Sequence, residues 1–373
     1  MNKNVVNICF FNSRVAWGGG EKWNYDMAVR MHEDGFNTFV IAGKNSEFSK
    51  RLTKTPVPFG TVRVSNLTFL NLFKIYKVRS MLGRNTVDVI ILNLSEDIKL
   101  AGIAARLAGV RHIIYSRGIA SPIKNSLSNR LLFKHIVTEI LTNSQETKRT
   151  ILQNNPSLFP KHKIKVNYLG ISTDRSCEDR SCEPNPFHFH REHEDEILLG
   201  NAGRLVAQKG QKYLIETAKK LKAHRIPFKL LIAGEGKGLG ELKRLADEHG
   251  VSDSVVFLGF VEHIDGFMDA IDIFLLPSLW EGFGYVIVEA MSAGKPVIAF
   301  NRSSNPEVIE NGETGYLIDD MSIDAFAEKI EFLATNKDIR ETMGSEGKKR
   351  AEKYFDINVS YRNFKDYILS LDD

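Results

Sequence analysis

Residues 273–300, IFLLPSLWEGFGYVIVEAMSAGKPVIAF, constrain the fold more than any other stretch of the chain. They parse as a short buried strand, a loop opened by Pro277, a helix approached through Gly282 and Gly284, and a second strand after Gly294-Lys295-Pro296. Two carboxylates lie inside this unit. Glu281 is in the loop and Glu289 is eight residues on, about two helical turns further if the helix reaches that far.

The turn Gly282-Phe283-Gly284, followed by Tyr285, presents backbone N–H groups at a helix N-terminus. Unpaired donors and the helix dipole both favour a phosphate or diphosphate there, and glycine lets the backbone approach it closely. Glu281 ahead of the turn and Glu289 behind it are placed to accept hydrogen bonds from hydroxyls on either side of such an anion. A diphosphate flanked by two polyols is a sugar nucleotide. Two solvated glutamates on a plain strand–loop–helix would show the same spacing, so the whole segment, rather than E-x7-E alone, carries the reading.

The segment resembles the E-x7-E signature of the retaining glycosyltransferases of family 4 (glycosyl transferases group 1), and the following NRSSNPEVIENGETGYLI resembles that family's next element. The resemblance implies an α/β chain of the GT-B fold, with two Rossmann-like, doubly wound parallel-sheet domains facing a cleft. It also implies that Glu281 contacts the transferred sugar and Glu289 the ribose hydroxyls, with Gly282, Phe283, Gly284 and Tyr285 binding the donor. The following stretch departs from the family at Asn301-Arg302-Ser303-Ser304-Asn305, which replaces a glycine-rich turn and alters the expected sugar pocket.

A chain of 373 residues is long enough for two domains, each with its own core. We expect a first domain over residues 1–170, a linker or loop over 171–196 and a donor domain over 197–356. By resemblance, a last amphipathic helix from 357 packs back on the first domain. The N-terminus lacks a signal-peptide pattern and no apolar run approaches the ~20 residues that span a bilayer, so the expected compartment is the cytoplasm.

Charge divides unevenly: residues 1–170 carry 25 Lys+Arg against 10 Asp+Glu, the remainder 25 against 36. A basic half suits nucleic acid or an anionic membrane surface. No nucleic-acid motif accompanies it, which leaves the inner face of the cytoplasmic membrane or an anionic, lipid-linked acceptor. Within that half, 67–84 (LTFLNLFKIYKVRSMLGR) is open to two readings, a helix packed on the sheet with basic residues in water or a surface resting on lipid headgroups.

Short apolar runs at 5–11, 38–42, 87–92, 112–115 and 139–142 alternate with helical segments and argue for a parallel sheet covered on both faces. Gly18-Gly19-Gly20 lies in the first strand-to-helix loop, a location for anion contact or simply a tight turn; likeness to the family's GGxE loop places Gly19 and Gly20 nearest the donor phosphates or acceptor. Arg117, in the loop after a strand, is suited to a phosphate or acceptor group or to a structural salt bridge, and no histidine is assigned as base.

Cys177 and Cys182 stand beside His188, His190 and His193 in spacing too crowded for a usual zinc site, and a polar loop with reduced thiols is the preferred reading. D-x-D pairs are absent, so a metal-independent mechanism without a cofactor is expected, in which basic residues neutralise the diphosphate. In GRLVAQKG, Arg204 and Lys209 fill that role and match the family's GRL…KG motif. By resemblance the backbone of Val261 contacts the nucleotide base, whereas Phe260 beside it reads as core.

The expected function is transfer of a hexose-type sugar from a nucleotide-diphosphate donor to an acceptor hydroxyl, in a lipid-linked or cell-envelope glycan. A sugar-nucleotide epimerase or hydrolase, or a non-catalytic nucleotide-sugar or membrane-binding protein, is the alternative.

Overall fold

The computed structural model of the chain describes residues 6–65, 67–173, 189, 191, 193 and 195–371. The chain forms two compact units, residues 1–169 with 360–373, and residues 170–359.

The first unit is built on a seven-stranded sheet: β1 (Asn7–Asn12), β2 (Asn37–Gly43), β3 (Phe59–Val62), β4 (Val89–Leu92), β5 (His112–Arg117), β6 (Glu139–Thr142) and β7 (Ile164–Val166). Their order is β3-β2-β1-β4-β5-β6-β7, and every pairing is parallel. Central strands such as β4, VIIL, are buried throughout, because helices cover both faces of a parallel sheet. Helix ends are fixed by side chains that satisfy free amides: Ser144 Oγ accepts from Thr147 N at the start of helix Gln145–Ile151, and Asn71 Oδ1 from Lys74 N at the start of helix Leu72–Arg84. The last helix, Ile357–Leu369, sends Phe364 between Phe10 of β1 and Trp23 of helix Gly19–Glu33, with ring centroids 6.0 and 5.3 Å away.

The second unit carries a six-stranded sheet: β8 (Ile197–Ala202), β9 (Phe228–Ala233), β10 (Val255–Gly259), β11 (Ile273–Leu276), β12 (Val297–Phe300) and β13 (Gly315–Ile318). The order is β10-β9-β8-β11-β12-β13, again all parallel. Helix Gln211–Ala223 buries Leu214, Ile215, Ala218 and Leu221, an i, i+1, i+4, i+7 stripe facing the sheet core.

In both sheets the winding reverses beside the first strand, between β1 and β4 in one unit and between β8 and β11 in the other. Loops leaving the carboxyl ends of those neighbours diverge and open a crevice, where doubly wound sheets bind ligands. The residues called linker and the Cys177, Cys182, His188 and His190 cluster lie outside the described residues, apart from positions such as His193.

Candidate functional site

In the second unit the crevice is made by residues 203–210 after β8 and 277–284 after β11. The two loops are zipped together. Leu279 N donates to Gln208 O at 2.8 Å, Gln208 Nε2 to Trp280 O at 2.9 Å, and Lys209 Nζ to Glu281 Oε1 at 2.6 Å. Gly210 closes the first loop at φ +66°, and a Cβ there would stand 2.1 Å from the carbonyl oxygen of Pro277, so only glycine permits this approach.

The Lys209–Glu281 pair is well shielded, with the two side chains 16% and 8% exposed. A shielded carboxylate and ammonium in contact offset each other's loss of water, and each keeps further hydrogen-bonding capacity for a ligand. A third loop, after β12, holds the same residue from its main chain: Ser303 Oγ and Ser304 Oγ donate to the Glu281 carbonyl oxygen at 2.6 and 3.2 Å. These serines belong to the stretch that departs from the family pattern. Their role was not legible in sequence, because it depends on β11 and β12 lying side by side.

Helix Tyr285–Ser292 begins directly after Gly284. Glu289 is therefore its fifth residue, half-buried and about one turn from the N-terminus, and the offset from Glu281 is only partly helical. Phe283 is buried against Tyr285 and Phe355, so its side chain belongs to the core and only its main chain is left for the donor contact expected of it. Arg204 is exposed, and among the described residues its guanidinium has no hydrogen-bond or ionic partner. Val261 follows β10 and is half-buried. Phe260 corrects the expectation of a core residue: Gly259, at φ +69°, turns the chain outward and leaves the ring 74% exposed.

In the first unit the crevice between β1 and β4 holds a buried polar network. Asn12 Nδ2 donates to Glu21 Oε1 at 3.3 Å, Ser13 Oγ to Asp97 Oδ1 at 2.5 Å, and Asn93 Nδ2 to Asn24 Oδ1 at 2.7 Å. Asn24 Nδ2 in turn donates to Gly20 O at 2.7 Å, which fixes the glycine turn. Gly19 and Gly20 open helix Gly19–Glu33 and are exposed, and a Cβ at Gly20 would meet nothing within 4 Å. Arg117 differs from expectation. It ends β5 rather than standing in the loop, and it donates to Tyr115 Oη at 3.1 Å and to Ser121 O and Oγ at 2.6 and 3.1 Å. It braces the turn that follows, through hydroxyls and a carbonyl and not through a salt bridge.

Burial lifts the Asp97 carboxyl from its ordinary 3.8 to about 7, against the lowering effect of its bonds from Ser13 and Leu94. Between those values the folded chain keeps a proton that the unfolded chain has released. Stability from this site is therefore complete below about pH 4 and declines as pH rises towards 7. Asp97→Asn is expected to flatten that part of a melting-temperature profile; an unchanged slope would show that Asp97 does not set it.

Two family models match the chain, one described as Glycosyltransferase Family 4 over residues 17–175 and one as Glycosyl transferases group 1 over residues 184–350. The chain belongs to the family 4, group 1 glycosyltransferases. Among relatives of this family 4 chain, the capsular polysaccharide biosynthesis glycosyltransferase CapM of Staphylococcus aureus is 29% identical over 61% of this chain and 60% of its own. The UDP-Gal:alpha-D-GlcNAc-diphosphoundecaprenol alpha-1,3-galactosyltransferase of Escherichia coli is 28% identical over 72% and 70%. The chain spans 50 to 60% of the length of the first curated relatives it matches. The structure of Anabaena Alr3699/HepE in complex with UDP and glucose aligns with a TM-score of 0.81 and 21% identity, covering 98% of this chain and all of that one, and establishes the shared GT-B fold.

Proposed function

We propose that this family 4 chain moves a hexose-type sugar from a nucleotide-diphosphate donor to an acceptor hydroxyl of a lipid-linked or cell-envelope glycan. Transfer proceeds with retention at the anomeric carbon and without a metal. The observation that carries the proposal is the shielded Lys209–Glu281 pair at the β8–β11 crevice, one short turn ahead of a helix N-terminus. Relatives whose names state a donor use UDP-Gal or GDP-mannose, which supports a nucleotide sugar and leaves the base open.

On this reading the diphosphate lies against the main-chain amides at residues 282–284, with Lys209 and Arg204 beside it. Cationic groups fixed where negative charge develops lower the barrier most when water is excluded. Glu281 accepts a hydrogen bond from the transferred sugar, Glu289 from the ribose, and the main chain of Val261 meets the base. The bond from the anomeric carbon to the diphosphate oxygen breaks as a bond to the acceptor oxygen forms on the same face. The acceptor's proton passes to the departing phosphate oxygen, which balances the step.

A thermal-shift screen with UDP-, GDP- and ADP-sugars identifies the donor, since a ligand that binds only the folded state raises apparent stability. With that donor, Glu281→Ala and Glu289→Ala are each expected to lose about a hundredfold in transfer. Undiminished transfer by both would sink the assignment. Donor turnover to free sugar without any transfer, across a broad acceptor panel, would instead favour a hydrolase.

A further inference from the structure

Residues 48–87 contain eight Lys or Arg and no Asp or Glu. Within them, helix Leu72–Arg84 buries Ile75, Val78 and Leu82 against the first unit's core, which accounts for one face. The other side of its first turn, with the short 3₁₀ turn Thr68–Leu70 ahead of it, leaves Leu67, Leu70, Leu72, Phe73 and Tyr76 exposed, and Phe73 is 88% exposed. Five large apolar side chains within ten residues on one exposed turn are unlike the scattered apolar residues of an ordinary surface.

Among the described residues, the cations around this patch are paired with no carboxylate. Lys74 Nζ donates to Arg63 O at 2.9 Å, Lys77 Nζ to Thr61 O at 3.5 Å and Arg79 Nε to Leu107 O at 3.0 Å, while Lys99 lies 5.8 Å from the centre of the Phe69 ring. Carbonyls and a ring orient these side chains but leave their charge uncompensated. An apolar tip ringed by fixed, unneutralised cations is complementary to a bilayer surface, where acyl chains take up the apolar groups and anionic headgroups meet the cations. No described helix is long and apolar enough to cross a membrane, so the contact is one of lying on the surface. A protein partner of this shape would need its own acidic rim, whereas an anionic leaflet offers both properties at once.

We propose that residues 67–77 form a docking surface for anionic phospholipid bilayers, with Phe73 and its apolar neighbours inserting at headgroup depth. The test is co-sedimentation of the full chain with vesicles of phosphatidylcholine alone or mixed with phosphatidylglycerol. Binding is expected to the mixed vesicles only, and to weaken as salt is raised. Phe73→Ser with Leu72→Ser, and separately Lys74→Glu with Lys77→Glu, are each expected to reduce binding by about tenfold or more. Leu72, Phe73 and Lys77 are exposed and Lys74 is half-buried, so folding is expected to be retained and hydrolysis of a soluble donor to be unchanged. Equal binding to neutral vesicles, no binding at low salt, or binding indifferent to both double variants would overturn the proposal. So would self-association in solution that Phe73→Ser abolishes while vesicle binding is absent, because the patch would then serve a second copy. The vesicle readout is independent of transfer, so it can fail while the donor assays on Glu281 succeed, and the reverse.

Discussion

Lys209→Ala is expected to lower sugar transfer by about 10² to 10³ and to destabilise the second unit by about 3 kcal/mol. The two losses have different origins. Stability falls because the Glu281 carboxylate, 8% exposed, loses the ammonium 2.6 Å away that offsets its burial. On the proposed function, transfer falls because a cation is missing where the diphosphate would develop charge. Removing both partners separates these effects: Lys209→Met with Glu281→Gln leaves no uncompensated charge, so urea unfolding should return most of the lost stability while transfer stays low. Full-rate transfer by a folded Lys209→Ala chain would reduce the residue to a structural counter-ion and remove it from the proposed chemistry.

The pairing itself shows where reading a sequence stops. Lys209 and Glu281 are each named by local motifs, but they are 72 positions apart and meet only because β8 and β11 are neighbours. Local patterns do not state strand order. The run 139–142 is legible as strand β6 to the residue, because three of its four side chains are buried. The edge strands Phe59–Val62 and Ile164–Val166 are not, since FGTV and IKV are short, only partly buried and offer no apolar run to recognise. Phe260 misleads for a related reason: an apolar residue beside a strand reads as core until the left-handed Gly259 is known to turn it outward. Arg117 reads as a loop residue for a phosphate, an acceptor group or a salt bridge because the sequence does not show that β5 runs on to include it, nor that Ser121 returns to meet its guanidinium. Of the two readings of 67–84, the packing of the helix on the core is observed, while the lipid contact stays a proposal that rests on the outward Phe73.

Gly210→Ala is expected to damage the second unit strongly for a single added methyl group. At φ +66° an L-residue is strained, and its Cβ would lie 2.1 Å from Pro277 O, a main-chain atom of the adjacent loop that no rotamer change can move aside. Relief requires the loops after β8 and β11 to separate, which breaks the bonds from Leu279 N to Gln208 O and from Lys209 Nζ to Glu281 Oε1. The expected loss is roughly 3 kcal/mol or more, read as a fall of about 10 °C in melting temperature, with transfer lost as well because the ion pair is displaced. Gly20→Ala is the matched control, since its Cβ would enter open space near the start of a helix and should leave stability equal or raised by about 0.5 kcal/mol. The proposed contact of Gly20 with donor or acceptor then predicts the opposite split, weakened transfer in a chain that melts no earlier. A Gly210→Ala chain that melts with the wild type would show that the two loops can part without disturbing the sheet beneath them, and the site's rigidity would have to come from the serines after β12 instead.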